Sequence, residues 1–486
     1  MKVGKNKLTG FIIVLLLFAL GCEADSYDTN REEFSNEVLR IAPTAILTAA
    51  LIKNTGAVVV QSTKIGTVYL VNTTVTVSNI TSITGAADNL WNRVYISSAY
   101  TDTYLQATGL ADGTYKAYAV DGEGNLSSAS KNSVIVDTTA PTANFAAATD
   151  DVGNVTGALT SGSTTDDTAL VLSGNNESGS SVKVYNGSTE LGSATVSGTS
   201  WSYSATVANG TTYQFNVRET DLAGNTSDAT SNFVVTGDTT APTVSVTTAI
   251  IPSTGNTVVQ STETGTVYLV NTTVTVSNLA SITGAAGNLW NSVAISSPSN
   301  TSLSATGLAE GTYKAYAVDD AGNLSGASNN SVIVDNTPPT VSSVAITDAE
   351  GVQNGFVNAG DNVSVTATFS EAVIVDNSSG NNPTITLVVG TDDNRTATYM
   401  SGSGSTDLVF QYTIQATGTS GENDDNGTSI GANALALNSS TIRDPAGNDA
   451  TLTHSAVSDN SSVKVDTTAP SVDNFTMSDT ELKIGD

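Results

Sequence analysis

The chain has 486 residues, of which 13% are charged, and acidic residues outnumber basic ones by 46 to 17. The net charge of −29 argues against binding to the phosphate backbone of nucleic acids and leaves cations as the natural counter-ligands. With one histidine and one cysteine, the sequence has no histidine-based triad, no Cys–His pair and no zinc cluster. Recurrent β-branched residues among 42 glycines favour short strands joined by tight turns.

The N-terminal 21 residues have the features of a secretory signal peptide. Three lysines precede a ten-residue apolar run at 11–20, which is too short to span a bilayer comfortably. Cys22 follows a small residue, and this arrangement resembles the lipobox of bacterial lipoproteins, although Ala19 and Leu20 stand in the reverse of the common order. The resemblance implies diacylation of Cys22. A plain secretory peptide and an uncleaved anchor are the alternatives.

Residues 22–40 are acidic and lack strand alternation, which predicts a tether with at most one short helix. After them, one phrase recurs four times at intervals of about 100 residues, the size of a small domain. Proline lacks an N–H group and keeps its predecessor extended, so the phrase cannot lie inside a helix or a central strand. We interpret the four copies as linkers: VDTTAPT at 136–142, GDTTAPT at 237–243, VDNTPPT at 334–340 and VDTTAPS at 465–471.

The first and third segments between linkers are copies of one another. GTVYLVNTTVTVSN stands at 66–79 and again at 265–278, and GTYKAYAVD stands at 113–121 and again at 311–319. Apolar residues alternate with polar ones along these stretches, so that Tyr69 and Val71 share a face. The alternation predicts half-buried antiparallel strands.

Two landmarks favour an immunoglobulin-like β-sandwich. The first three segments each place a tyrosine at the entry of an alternating strand that ends on an aspartate, as in the tyrosine corner of that fold; these are Tyr115, Tyr213 and Tyr313. All four segments then carry a D-x-x-G-N pattern, whose glycine and asparagine tolerate the positive φ of a hairpin. The patterns begin at Asp121, Asp221, Asp319 and Asp444.

The stretches TDLAGNTS…DTTAPT, VDDAGNLS and FSEAVIV…IRDPAGNDATLTHSAV resemble the bacterial immunoglobulin-like (Big-type) repeats of cell-surface and adhesin-type proteins. The resemblance implies an all-β tandem array of immunoglobulin-like β-sandwich domains joined by short Thr/Pro linkers. The fourth domain is longer than the others, and its additional residues are expected in exposed loops such as 418–429. The expected divisions are a signal peptide at 1–21, a tether at 22–40, domains at 41–139, 140–240, 241–337 and 338–468, and the start of a truncated fifth domain at 469–486.

No residue is predicted to be catalytic or to bind an organic cofactor, so we expect a protein that is not an enzyme. His454 lies in the alternating stretch ATLTHSAV and is interpreted as an ordinary strand residue. Trp91, Trp201 and Trp290 could stack on sugars, but core packing is favoured, with Trp91 and Trp290 in short helical crossovers.

Calcium is the one ligand for which the sequence makes a case. It requires six to eight hard oxygen donors, and each linker brings an aspartate near hairpin carboxylates. The resemblance adds that related adhesin arrays carry calcium at such junctions. The simpler explanation is that each hairpin aspartate caps its own turn. The candidate ligands are Asp121, Asp137, Asp221, Asp238, Asp319, Asp335, Asp444 and Asp466, with each linker aspartate expected to join the hairpin aspartate of its own domain.

The leading functional hypothesis is a lipid-anchored, non-enzymatic rod at the outer membrane or cell surface that mediates or spaces cell-surface or biofilm contacts through an unknown protein or polysaccharide ligand. A passive stalk for an enzyme or binding head beyond residue 486 is one alternative. A polysaccharide-binding array is the other.

Overall fold

The structure, a computed structural model, describes residues 41–296, 298–390, 393–416, 422–474 and 476. The predicted signal peptide, Cys22, the tether at 22–40 and the end of the predicted fifth domain lie outside these residues. Strands dominate the described residues, and no helix among them is long and apolar enough to cross a membrane. The prediction of an all-β chain is confirmed. The sheets fall into four successive pairs, called domains 1 to 4 below, and no sheet of the described residues crosses a linker.

Domain 1 is a sandwich of a three-stranded sheet, β1-β3-β6, and a five-stranded sheet, β2-β8-β7-β4-β5. Val68 and Leu70 on β4 face the core between the sheets, where Tyr115 is fully buried. The elements are β1 (Ala45–Leu47), β2 (Ala50–Ile52), β3 (Ala57–Ser62), β4 (Gly66–Asn72), the helix α1 (Ile80–Thr84), a 3₁₀ turn (Asp88–Leu90), β5 (Trp91–Ile96), β6 (Thr103–Gln106), β7 (Gly113–Asp121) and β8 (Val134–Val136).

A second, smaller cluster covers the outer face of β4. Tyr69 and Val71 pack there against Ile83 of α1 and against Trp91. Helix α1 begins at a capping box, in which Asn79 Oδ1 accepts a hydrogen bond from the Ser82 N–H at 2.9 Å. The face carrying Tyr69 and Val71 is therefore buried as predicted, but beneath a helix and outside the sandwich core.

Domain 2 contains two five-stranded sheets, β10-β9-β12-β16-β15 and β11-β18-β17-β13-β14. Trp201 is buried in their common core, and its indole N–H donates to the Asn144 carbonyl oxygen at 2.9 Å. The strands are β9 (Ala147–Asp150), β10 (Gly157–Ala158), β11 (Ser163–Thr165), β12 (Ala169–Asn175), β13 (Ser181–Asn186), β14 (Thr189–Ser193), β15 (Thr195–Ser197), β16 (Ser200–Thr206), β17 (Thr212–Thr220) and β18 (Phe233–Gly237).

Domain 3 repeats the topology of domain 1, with sheets β19-β21-β24 and β20-β26-β25-β22-β23. The duplication seen in the sequence therefore extends to strand order and to the helix over the outer face. The elements are β19 (Val244–Val246), β20 (Ala249–Ile251), β21 (Asn256–Ser261), β22 (Gly265–Asn271), α2 (Leu279–Thr283), β23 (Trp290–Ile295), β24 (Thr301–Ser304), β25 (Gly311–Asp319) and β26 (Val332–Val334).

The tyrosine corner forms in both copies. The Tyr115 hydroxyl donates to the Ala111 carbonyl oxygen at 2.7 Å, and Tyr313 does the same to Ala309. Tyr213 of domain 2 differs, because its hydroxyl oxygen accepts from the Ala208 N–H at 3.1 Å.

Domain 4 places its additional length in strands, which corrects the expectation of longer loops. The main path of its large sheet is β27-β29-β32-β31-β30-β34-β36, β35 pairs with β29, and β28-β37-β33 forms a small sheet. The strands are β27 (Val341–Ala349), β28 (Phe356–Val357), β29 (Asn362–Asp376), β30 (Thr384–Val389), β31 (Asp393–Ser401), β32 (Ser405–Thr413), β33 (Asn423–Asp424), β34 (Thr428–Ala436), β35 (Thr441–Arg443), β36 (Val457–Asn460) and β37 (Lys464–Asp466).

The segment 418–429 is predicted to be an exposed loop, but four of its described residues are buried and it contributes to strands β33 and β34. Glu422 is only 3% exposed, and its carboxylate accepts hydrogen bonds from Arg395 Nε, the Tyr412 hydroxyl and the Gln415 N–H. Asp424 is also buried and accepts from the N–H of Gly390. Charged and polar partners that are distant in the sequence offset the cost of burying these carboxylates, so polarity alone gave the wrong prediction.

Candidate cation sites at the domain junctions

Each D-x-x-G-N hairpin is capped by its own aspartate, as the simpler explanation of these residues requires. In domain 3, Asp319 Oδ1 accepts from the N–H groups of Ala321, Gly322 and Asn323 at 3.0, 2.8 and 2.9 Å. Gly322 has a φ of 104°, which a residue with a side chain rarely adopts. The turn thereby fixes the Asp319 carboxylate at the end of β25, with its Oδ2 held by Asn323 Nδ2 at 3.0 Å.

The hairpin asparagine also makes a bond between domains. Asn323 Nδ2 donates to the backbone carbonyl oxygen of linker residue Asp238 at 2.9 Å. The same bond joins Asn225 to Asp137 and Asn448 to Asp335, each at 3.0 Å. A single repeated contact therefore sets each linker against the hairpin of the following domain.

This geometry corrects the expected pairing of each linker aspartate with the hairpin of its own domain. In domain 1, Gly113 of β7 pairs with Val136, the residue just before Asp137, whereas Asp121 ends the same nine-residue strand. Asp121 and Asp137 therefore lie at opposite ends of β7. For Asp137, Asp238 and Asp335, the hairpin that contacts the linker belongs instead to the next domain along the chain.

At the junction of domains 2 and 3, three carboxylates converge. Asp238, Glu263 and Asp319 each place a carboxylate oxygen within 4.8 Å of the others. Asp319 is buried, and Glu263 Oε2 is buried without a hydrogen-bond partner. Burial raises the pKa of the Glu263 carboxyl, and the charges of Asp238 and Asp319 raise it further. This convergence is electrostatically unfavourable unless a cation or a proton is present.

The junction of domains 3 and 4 repeats the arrangement. Asp335, Glu371 and Asp444 place carboxylate oxygens within 4.8 Å of one another. Burial raises the pKa of Glu371, followed by the charges of Asp335, Asp444 and Glu310. Among the described residues, no ion pair with lysine or arginine involves either trio.

Glu263 and Glu371 occupy one structural position, which was missed in the sequence. The residue before each exchanges hydrogen bonds with the threonine that opens its domain: Thr262 with Thr243, and Ser370 with Thr340. In domain 1 the corresponding pair is Thr63 with Thr44, so Lys64 stands where the other two domains carry glutamate. The signal was visible as a reversal of charge between QSTKIGTVYL and QSTETGTVYL.

Lys64 supplies domain 1 with an internal cation. Its ammonium group lies 2.9 Å from Asp121 Oδ2 and also donates to the Ile41 carbonyl oxygen. Burial alone would raise the pKa of Asp121, but hydrogen bonds from Lys64 and Asn125 hold it below its usual value. Closely matching sequences thus surround an ion pair in one copy and a like-charged trio in the other.

Further acidic groups line the exit of domain 2. Asp166 follows β11, and burial raises its pKa to about 6, with contributions from Asp150, Asp319 and Asp167. Asp166 Oδ1 and Asp167 Oδ2 are both buried without hydrogen-bond partners, and Asp167 is 2% exposed. Buried, unpaired acceptor oxygens are costly unless they meet a donor or a metal ion.

The remaining candidate ligands do not belong to a group of three carboxylates among the described residues. At the junction of domains 1 and 2, the hairpin that begins at Asp221 contacts the backbone of Asp137 through Asn225, but neither aspartate belongs to such a group in the part of the chain that the structure describes. Asp466 ends domain 4 and its carboxylate accepts a hydrogen bond from the Thr468 N–H at 2.9 Å, and the end of the predicted fifth domain lies outside the described residues. The structure therefore brings together Asp238 with Asp319, and Asp335 with Asp444.

The other residues considered for function have structural roles. The two ring nitrogens of His454 are engaged with the Ala434 N–H and the Ser455 carbonyl oxygen, each at 2.8 Å, and His454 lies just before β36 rather than within a strand. Trp91 and Trp290 open strands β5 and β23, where each packs against a tyrosine ring. They are not in helical crossovers, but packing is their role.

A comparison with protein-family models supports the fold of domain 2. Residues 140–239 match the family model of the bacterial Ig-like domain, so domain 2 is a bacterial Ig-like domain. A search of curated protein sequences finds no match. Among solved structures, the chain is similar to the FN1–FN3 domains of chicken CNTN1, with 13% identity over 61% of this chain and 99% of that chain and a TM-score of 0.23.

Two other solved structures are also similar. One is SGBP-B of the Bacteroides ovatus mixed-linkage glucan utilization locus, in complex with a mixed-linkage heptasaccharide. The identity is 11% over 77% of this chain and 92% of that chain, and the TM-score is 0.15. The other is the BSP domain of a biofilm-associated protein, with 9% identity over 88% of this chain and 96% of that chain and a TM-score of 0.15.

Proposed function

We propose that the protein is a non-enzymatic, lipid-anchored rod that spaces or mediates contacts at the bacterial surface, and that calcium stiffens its two C-terminal junctions. The observation that carries the proposal is the repeated convergence of three carboxylates where a linker meets the next domain. A series of Ig-like domains joined by such linkers has the form of a spacer. Lipidation at Cys22 would place its N-terminal end at a membrane.

Calcium suits these trios for chemical reasons. Carboxylates are the oxygen ligands that calcium favours, and it accepts flexible coordination by six to eight oxygens, including backbone carbonyls and waters. Asp238, Glu263 and Asp319 would hold one ion, and Asp335, Glu371 and Asp444 a second. Each trio draws one ligand from the linker and two from the following domain, so bound metal would restrict the angle between them. The metal supplies positive charge in the position that the Lys64 ammonium occupies in domain 1.

Small-angle scattering of the full chain, with calcium and then with chelator, tests the proposal together with titration calorimetry. We expect the maximum dimension to fall when calcium is removed, while the strand content measured by circular dichroism stays the same. The double variant Glu263→Gln/Glu371→Gln should lose two equivalents of bound calcium relative to the unaltered chain. An unchanged dimension, with no heat of binding at millimolar calcium, would leave the joints as plain proline hinges.

A further inference from the structure

The two copies, domains 1 and 3, also differ in exposed aromatic surface. Domain 1 carries Tyr95, Tyr100 and Tyr104 at 63%, 65% and 69% exposure. The aligned strands of domain 3 have Ala294 and Ser302 at the first and third positions. The loop between them reads SSAYTD in domain 1 and the shorter SSPSN in domain 3, without tyrosine.

The three tyrosines lie in one region of domain 1. Tyr95 is on β5 and Tyr104 on β6, and Tyr100 lies in the loop that joins these strands. The strands run side by side, because Asn92 Nδ2 on β5 donates to the Gln106 carbonyl oxygen on β6 at 2.8 Å. Domain 3 adopts the same fold without these rings, so the fold does not require them. In domain 1 all three tyrosines lie on two neighbouring strands and the loop that joins them.

Tyr100 is held in an unfavourable conformation. Its φ is 57°, which is rare for a bulky residue, and its N–H donates to the Ser62 carbonyl oxygen at 2.8 Å. Backbone strain of this kind is often retained at binding sites. The Tyr100 side chain is two-thirds exposed, so burial of its ring does not compensate for this strain.

We propose that these tyrosines form a stacking platform for an uncharged polysaccharide; this rests on the proposed function, for which it supplies a contact surface and a ligand class. Aromatic faces combined with hydrogen-bonding groups suit sugar rings, which have one apolar face and a polar rim. The exposed residues beside the tyrosines on these strands and their loop include Arg93, Asp102 and Gln106.

The composition of the patch and the charge of the chain select this ligand. The interspersed polar residues leave no continuous apolar core of the kind that anchors a protein partner. The net charge of −29 repels anionic polymers such as alginate or nucleic acid. An uncharged glycan carries neither penalty.

Affinity electrophoresis of the full chain tests the platform, in native gels containing dextran, mixed-linkage β-glucan or xyloglucan, with alginate as the anionic comparison. We expect retardation by at least one neutral glucan and none by alginate. Tyr95→Ala/Tyr104→Ser, which copies domain 3, should weaken binding by about tenfold or more. Tyr95→Phe/Tyr104→Phe keeps the rings and should retain binding.

Further variants separate the platform from general effects. Tyr100→Asn removes the third ring with a residue that accepts positive φ and should also weaken retardation, whereas Ile135→Ala removes exposed apolar surface elsewhere on domain 1 and should not. Retardation by none of the neutral glucans, or equal retardation of the Ala/Ser double variant, would overturn the proposal. Dimers in sedimentation that this variant abolishes would instead assign the tyrosines to self-association. None of these readouts depends on calcium or on Cys22, so the proposed rod is tested separately.

Discussion

The charge reversal Glu263→Lys gives domain 3 the residue that domain 1 already carries at this position. Carboxylate oxygens at up to 4.8 Å repel by about 1 kcal/mol in water and by about 3.5 kcal/mol at an effective dielectric constant of 20. Lysine would replace the repulsion from Asp238 and Asp319 with attraction. Glu263 is only half-buried, so solvent screens these interactions. We therefore expect Glu263→Lys to raise the free energy of unfolding by about 1–2 kcal/mol without calcium, near the lower of these two values.

Differential scanning calorimetry in chelator measures this gain. For a domain of about 100 residues, 1–2 kcal/mol corresponds to a rise of about 5–15 °C in the melting temperature of the affected transition. The same variant should lose one equivalent of calcium and its share of the calcium-induced rise. Glu263→Gln is the matched control, which removes repulsion without adding a cation and should give a smaller rise in chelator. A lower melting temperature of Glu263→Lys in chelator, or calcium stoichiometry equal to that of the unaltered chain, would refute the reasoning.

Three other predictions follow from single residues. Cys22→Ser should release the mature protein from membranes, and unchanged membrane fractionation would remove the lipid anchor from the proposal. The folded-state pKa of Asp166 is raised to about 6 from 3.8, so without calcium its contribution to stability should fall as pH rises from about 4 to 6. Asp166→Asn should reduce this dependence in pH-dependent melting, whereas the exposed neighbour change Asp151→Asn should not. Glu422→Gln leaves Arg395 without its buried carboxylate and should cost about 3–5 kcal/mol in urea unfolding; a loss below about 1 kcal/mol would contradict this role.

Local patterns carried enough information for the fold but not for the pairing of the junction residues. Strand alternation, the tyrosine corner and the repeated hairpin depend on neighbours in the chain. The structure confirms the alternation and the hairpins, and it confirms the tyrosine corner in domains 1 and 3 but not in domain 2. The assignment of Asp238 to the hairpin of domain 3 depends on strand β17 of domain 2: Asp238 lies beside its first residues, whereas Asp221 follows its last. That is a property of the complete strand order, on which local alternation carries no information.

Two kinds of site residue illustrate the remaining limits. Glu263 differs from Lys64 in otherwise matching sequence, so a comparison of the copies at each position could have identified it. The burial of Glu422 depends on Arg395 and Tyr412, which approach it only through the long strands of domain 4. Their contact has no local sequence pattern, and acidic composition alone indicated exposure.

The placement of the two copies also bears on synthesis of the chain. Strands β4 and β22 are identical in sequence and would each fit the sheet of the other domain. Tandem domains can misassemble by exchanging equivalent strands while they emerge from the ribosome. Domain 2 has a different strand order and lies between the two copies in the sequence. Domain 1 can therefore complete its folding before domain 3 is translated. The alternation of unlike neighbours thus protects a duplicated protein from pairing with itself during folding.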